Sequence, residues 1–405
     1  MHSESIPEAG FILANLMDTL PDAIYFKDRE SRFIMINRAC AQKHRWDSSD
    51  VIEGKTDFDV FSREHAEQAF ADEQRIIETG EPLSGIVEKE TWADGSVSWV
   101  STTKMPLKDE NGEIIGTFGI SRDITEHKEA ELRSQRYAEE IRLIKEEMEE
   151  DVQMAGELQK AFFPCSYPVF PEGAASGEGC VEFLHHFLSC SEVSGDYCSI
   201  RRISGTEAGI FLCDVQGIGL RAALGTALIR GIEQEIAPFV LEPGAYLERM
   251  NRLLTPLLRQ EEIPLDITAC YLVLDVASGT VRHASAGHPP PILFKKGGDA
   301  AWLDGCDRCG PPLAEMADAA YPIIEQTIAP GDSVILYTDG LLSVPNAGGA
   351  YFGKERLLAS AGKHGDEPLA TLFESLESEA RTFSSDGTFS DDVCLVGFHL
   401  SQLLG

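Results

Sequence analysis

Four short segments of this chain set an aspartate at the edge of an apolar run. Val193-Ser194-Gly195-Asp196-Tyr197 follows one such run. Asp214 closes the strand-like run Gly209–Cys213, and Gly217-Ile218-Gly219 comes just after it. Ser333–Tyr337 reads as a strand ending in Thr338-Asp339-Gly340, and Ser390-Asp391-Asp392 opens the run Val393–Leu400. Hard divalent cations take oxygen ligands, and Mg²⁺ or Mn²⁺ takes a few carboxylates plus waters. Two such ions about 3.5–4 Å apart can hold a hydroxide for in-line attack on phosphorus. Carboxylates at strand ends, converging from distant parts of the chain, are what such a site requires. Aspartate is short and keeps a cation close to rigid backbone, while glycine beside it lets water and phosphate approach. Singly, each segment is an ordinary turn; the expectation rests on all four meeting.

Other chemistry-bearing residues are weaker signals. His288 sits in a proline-rich loop and reads equally as a residue near the site or as loop packing. Cys306-Asp307-Arg308-Cys309 is a lone CxxC; zinc would want a second pair, so a plain loop is expected. Gly217-Ile218-Gly219-Leu220-Arg221-Ala222 fits the glycine pattern of a dinucleotide-binding turn. That fold also needs an acidic residue at the end of a second strand, and residues 222–236 read as helix instead.

The elements that would position these residues fall into segments. Residues 1–17 read as an N-terminal helical segment. Residues 18–126 read as a compact α+β domain. Its strands lie at Asp22–Asp28 and Phe33–Asn37, a helix covers Glu64–Thr79, and three strands follow: Ile86–Trp92, one running from Val97–Lys104 on through Met105–Leu107, and Ile114–Ile120. Asp94-Gly95 and Asn111-Gly112 are the hairpin signals, because glycine accepts positive φ. Residues 127–162 lack glycine and proline up to the Phe163-Pro164 break, apart from Gly156, and are rich in charge. Within them Tyr137, Ile141, Ile144, Met148, Val152 and Ala155 form a coiled-coil seam with one stutter. A parallel homodimer through this linker helix is expected. Residues 163–405 hold all four aspartate segments.

Residues 18–126 resemble a PAS domain, through Tyr25-Phe26-Lys27-Asp28, Phe33 to Ala39, Gly54-Lys55-Thr56 and the closing Gly119–Thr125. The resemblance implies a sensor or dimerisation module with an unidentified ligand. Light-sensing relatives carry an adduct-forming cysteine where this chain reads Thr56-Asp57-Phe58, so a flavin–cysteine photosensor is not expected. His44 and His65 are the residues available to a haem.

The second half resembles the PPM-type metal-dependent phosphatases, in the SpoIIE-like branch of sporulation and stress-response regulators. The resemblance is carried by Glu157–Pro164, Ser194-Gly195-Asp196-Tyr197 and Asp214–Gly219 with Arg221–Leu224. It continues through Ala286-Gly287-His288-Pro289-Pro290, Tyr337-Thr338-Asp339-Gly340 and Asp391-Asp392-Val393. It implies an α+β sandwich of two antiparallel β-sheets flanked by helices, with two Mn²⁺ or Mg²⁺ ions at one end. It implies Asp196 and Asp214 as catalytic metal ligands, with Asp339 and Asp391 or Asp392 completing the set and Gly217 lending backbone. Of the last pair, Asp391 is favoured. It implies hydrolysis of a phosphoserine or phosphothreonine ester, the substrate being a phosphorylated STAS-type anti-anti-sigma protein of a partner-switching pathway. The alternative is a pseudophosphatase that binds a phosphoprotein as a dimeric interaction module. Three positions depart from the family: Ser199 where a second aspartate is usual, Ile218 where histidine is usual, and Ser343 where glutamate is frequent.

Composition bounds the rest. A chain of 405 residues with 43% hydrophobic content is expected to form two or three domains. Lys plus Arg number 34 against 67 Asp plus Glu, a net charge of −33. Such a surface repels nucleic acid and anionic lipid, so neither is an expected partner. The N-terminus lacks the basic and apolar regions of a signal peptide, and no apolar run spans a bilayer, so a cytoplasmic protein is expected. The ten cysteines are scattered, several inside apolar runs, and read as small core residues.

Overall fold

The structure is a computed structural model that describes residues 9–46, 52–92, 94–174, 178–217, 219–237, 239, 242–260, 265–303 and 309–405. It divides into two units between Ile144 and Lys145.

In the first unit, helix α1 (Ala9–Thr19) precedes strands β1 (Ala23–Asp28) and β2 (Phe33–Ile36) and helix α2 (Arg38–Lys43). Helix α3 (Arg63–Thr79) begins at Ser62, whose hydroxyl accepts from His65 N, and ends at Gly80 with φ 72°. Both caps satisfy backbone groups that a helix end leaves open. Strands β3 (Leu83–Thr91), β4 (Val97–Lys108) and β5 (Ile114–Asp123) complete an antiparallel sheet in the order β2-β1-β5-β4-β3. Gly95 and Gly112 both take positive φ, 83° and 86°, as the hairpin turns require. The expected strand over residues 97–107 is β4. Pro106 pairs with Thr117 inside the β4–β5 ladder and does not break it.

The two histidines available to a haem pack on aromatic rings, His65 against Phe61 at 4.7 Å. His44 stacks on Trp46 at 4.4 Å and meets the ring edges of Phe61 and Trp92, and burial pushes its pKa down to about 4. Helix α4 (Thr125–Lys160) follows as one 36-residue element. Its seam residues Tyr137, Ile141, Ile144 and Met148 are exposed.

In the second unit, β6 (Val181–Leu188), β7 (Asp196–Arg202) and β8 (Glu207–Val215) lead to α5 (Leu220–Ile236) and α6 (Pro243–Gln260). Then come β9 (Ile267–Asp275), β10 (Thr280–Ala286), β11 (Ile292–Phe294), β12 (Ala300–Trp302), β13 (Ile324–Thr327) and β14 (Ser333–Tyr337). Helices α7 (Gly353–His364) and α8 (Leu369–Phe383) precede the last strand, β15 (Val393–Leu400). The strands form two antiparallel sheets, β13-β10-β9-β8-β7 and β12-β11-β14-β15-β6.

The sheets face each other across a core that includes Cys198, Ile210, Leu212, Cys270 and Leu272 on one side and Phe183, Val334, Leu336, Val396 and Phe398 on the other. The outer face of the first sheet packs Phe211, Cys213 and Tyr271 against Ile229, Ile232, Tyr246 and Met250 of α5 and α6. The second sheet packs Ile335, Tyr337 and Leu395 against Leu357, Leu372, Phe373 and Leu376 of α7 and α8. Strands covered on both faces read as unbroken apolar runs, which is why Gly209–Cys213 lacks polar alternation. The result is the expected sandwich of helices, two sheets and helices. The dinucleotide-binding alternative fails, because β8 runs into α5 and then α6 within an antiparallel sheet, with no parallel crossover.

Cys180, Cys198, Cys213, Cys270 and Cys394 are buried in this unit and unpaired. Of the CxxC, Cys309 is exposed, and Cys306 lies outside the described residues. Among the described residues no helix is long and apolar enough to cross a membrane.

Leu212 is fully buried between the two sheets. Leu212→Ala should lower the unfolding free energy of the second unit by about 2–5 kcal/mol in a denaturant titration. A loss under about 0.5 kcal/mol, the level of a surface change, would contradict this packing.

Candidate functional site

The site begins with a register. Strands β7 and β8 are paired so that Asp196 lies directly opposite Asp214. Residues directly opposite on an antiparallel pair share a face, with Cβ atoms about 4.5–5.5 Å apart. Both carboxylates therefore stand at the same end of the first sheet.

The second sheet brings its own pair to that end. Thr338 follows β14, and Asp339 opens a short 3-10 turn over Asp339–Leu341. The Thr338 hydroxyl donates to Asp196 Oδ2 at 2.7 Å and accepts from Cys394 N at 2.8 Å, while Thr338 N donates to Cys394 O at 3.0 Å. This buried threonine thus joins β14, β15 and the first residue of β7. Gly340 has no room for a side chain: a Cβ would stand 1.9 Å from Asp392 O.

Asp391 and Asp392 differ in their surroundings. Asp392 is 7% exposed. Its Oδ1 accepts from Cys190 N at 2.8 Å and from Ser189 Oγ at 3.3 Å, and its Oδ2 accepts from Gly195 N at 3.1 Å. Both oxygens of Asp392 are spent on holding the 189–195 loop. Asp391 is exposed, and its Oδ1 accepts from Asp392 N at 2.9 Å.

The separated carboxylates act on one another's charge. Burial, followed by the charge of Asp214, raises Asp196 well above the ordinary carboxylate range. Burial, then the charges of Asp339, Asp391 and Asp392 and a hydrogen bond with Asp339, push Asp214 up to about 7. Asp339 and Asp391 are raised as well, burial being the first cause for each. Like charges crowded at partial burial disfavour one another's ionised forms. Among the described residues one cluster has the spacing of a metal site: ligand atoms of Cys190, Asp391 and Asp392 lie within 4.8 Å of one another. Burial and the neighbouring Asp392 push the Cys190 thiol up to about 11, which makes it a poor donor to a hard cation.

The remaining sequence candidates separate. Gly217 takes φ 127° and Gly219 φ 77°, conformations that suit glycine, and Gly219 caps α5. Ile218 lies outside the described residues. Ser199 points away from the carboxylates: it and Tyr197 both donate to the buried Glu233 of α5. Ser343 N donates to Asp339 O at 2.9 Å and so belongs to the turn itself. His288 is buried and neutral, with burial pushing its pKa down to about 3. It is nevertheless one residue from the site, because its Nδ1 shares a 2.8 Å hydrogen bond with Thr268 and Thr268 pairs with Asp214. The sequence did not single out the bridging hydroxyl of Thr338 or the anchoring role of Asp392, although both stand inside the quoted motifs.

The family described as Stage II sporulation protein E (SpoIIE) matches residues 204–401, and the PAS fold family matches residues 17–129. The chain joins a PAS domain to a SpoIIE-type PPM domain. The sandwich agrees with the SiaA-PP2C domain of Pseudomonas aeruginosa at a TM-score of 0.54 and 20% identity, covering 63% of this chain and 98% of that one. The phosphoserine phosphatase RsbP of Bacillus subtilis is 28% identical over 53% of this chain and 51% of its own length. The phosphoserine phosphatase RsbU of the same organism is 23% identical over 50% of this chain and 56% of its own. The chain thus spans about half the length of each of these relatives. PPM phosphatases are metal-dependent enzymes.

Within this PPM domain, Thr338→Val should leave a buried carboxylate oxygen and the Cys394 amide without their partner. The expected loss is about 1–3 kcal/mol of domain stability, read by denaturant unfolding. An unchanged midpoint would show that the hydroxyl does not bridge the two sheets.

Proposed function

We propose that this protein is a PAS-regulated, metal-dependent phosphatase of protein phosphoserine and phosphothreonine. The observation that carries the reading is the convergence of Asp196, Asp214, Asp339 and Asp391 at one end of the sandwich, with raised pKa values throughout. Carboxylates crowded without a compensating cation repel, and an all-oxygen donor set suits Mg²⁺ or Mn²⁺. The residues therefore fit the group that PPM enzymes require.

Asp196, Asp214, Asp339 and Asp391 would hold two such ions, with Gly217 lending backbone. Asp391 is preferred to Asp392 because both Asp392 oxygens already accept hydrogen bonds. Bound cations supply the positive charge that neutralises phosphoryl oxygens and acidifies water for in-line attack. The chain's own part is placement. Thr338 fixes the Asp196 carboxylate, the β7–β8 register holds Asp214 opposite it, and Asp392 holds the loop that ends at Asp196. Gly217 keeps the approach to the backbone open. Ile218 offers no proton to the leaving serine oxygen, so general-acid help from that position is lost.

The same reading assigns residues 18–126 to a sensor, 127–162 to a coiled-coil linker and 163–405 to the catalytic domain, after an N-terminal helical segment at 1–17. The exposed apolar seam of α4 supports a homodimer. The likeness to RsbP and RsbU supports a phosphorylated STAS-type anti-anti-sigma protein as substrate, in a cytoplasmic partner-switching pathway. The three family departures remove no principal carboxylate, which favours an enzyme over a phosphoprotein-binding pseudophosphatase.

The full chain should release phosphate from a generic aryl phosphate when Mn²⁺ is present and stop on chelation. Asp214→Asn should lower turnover about 100-fold or more while leaving the chain folded. Binding of Mn²⁺ with persistent absence of turnover would support the pseudophosphatase.

A further inference from the structure

Gln159 lies in the last turn of α4 and is 5% exposed. Its amide oxygen accepts from Ser194 N at 2.8 Å. Its amide nitrogen donates to Ser194 O at 2.6 Å and to Thr226 Oγ1 of α5 at 2.7 Å. One side chain thus engages both backbone groups of Ser194, as a neighbouring strand would, and also reaches α5. Burying a primary amide is unfavourable unless its groups find partners, and here three such bonds are made.

A second observation places the same helix end against the same loop. Gly156 is one turn before Gln159 on the same face. A Cβ there would come within 2.1 Å of Glu192 O, so only glycine permits this approach. The loop so held leads directly to Asp196, whose amide donates to Ser194 Oγ at 2.9 Å. On the other side the loop is held by Asp392, through Gly195 N and Cys190 N. Ser194 therefore lies between a hold from the carboxylate end of the second sheet and a hold from the linker helix.

We propose that Gln159 is a positioning residue for Asp196. Through Ser194 and Thr226 it fixes the loop and α5 to the end of α4, so that a shift of that helix end lowers the affinity of the carboxylate site for its cation. The loop-holding role stands on the hydrogen bonds alone; the effect on cation affinity rests on the phosphatase reading.

The test uses the full chain and three measurements: amide hydrogen exchange at residues 194–196, Mn²⁺ affinity by electron paramagnetic resonance, and turnover as a function of Mn²⁺. Gln159→Leu keeps an apolar stem one atom shorter than that of glutamine and removes all three hydrogen bonds. It should speed exchange at the Ser194 amide and weaken Mn²⁺ binding about tenfold, the scale of outer-shell substitutions around metals. Excess Mn²⁺ should then recover most of the turnover. Leu212→Ala, which destabilises the domain core without touching the loop, should keep the wild-type Mn²⁺ affinity. A purely structural Gln159 would behave like Leu212→Ala, and that result overturns the proposal. If Gln159→Leu does not fold, Thr226→Val removes one bond and carries the test; unchanged exchange and Mn²⁺ affinity in that variant would be equally contrary. Unaltered exchange in Gln159→Leu removes the loop-holding role itself. A wild-type chain that binds no Mn²⁺ sinks the phosphatase reading and the affinity effect together, while the exchange result still judges the loop.

Discussion

Negative charges crowd at one end of the sandwich, and the fold holds them there against their own repulsion. Asp196 and Asp214 face each other across one strand pair, and Asp339 and Asp391 arrive from the opposite sheet. Nothing about isolated strands favours this meeting. It is imposed by the two-sheet core and by a few hydrogen bonds at its end. Thr338 is the central one, because a single hydroxyl touches Asp196 and the β15 backbone together. Asp392 is the second, since its two oxygens tie the loop before Asp196 to the start of β15. Burial and the neighbouring charges raise these carboxylates, and such perturbed groups cluster at functional sites.

The division of labour between neighbouring residues follows from strand alternation. On β7, Asp196, Cys198 and Ile200 share the face toward the opposite sheet, whereas Tyr197 and Ser199 face α5. Ser199 cannot serve as a substitute for a second aspartate at the site, because its hydroxyl is engaged with Glu233 beneath the strand. The buried Glu233 instead locks β7 to α5, the helix that Gln159 also reaches. Strand, helix and linker end are thus tied together by hydrogen bonds, and the loop to Asp196 is at their junction.

Much of this was legible in the sequence because the signals were local. Glycine after aspartate or asparagine marked the hairpins at Gly95 and Gly112, and Gly80 marked the end of α3. Four aspartates beside apolar runs marked the strand ends. What the sequence withheld was register and partnership. That Asp196 opposes Asp214 depends on a pairing between strands, and a slip of one residue would have separated them. Asp391 and Asp392 are identical in type, and only the hydrogen bonds to Cys190, Ser189 and Gly195 tell them apart. His288 was ambiguous for the same reason, since its place depends on Thr268, twenty residues away in sequence and next to Asp214 in space.

The central claim is that these carboxylates form one divalent-cation site. The most direct check is a Mn²⁺ binding titration of the full chain beside Asp339→Asn, with bound ions counted at saturation. The account predicts two bound ions in the wild type and loss of at least one in the variant. No saturable binding, or equal binding in both proteins, would contradict it.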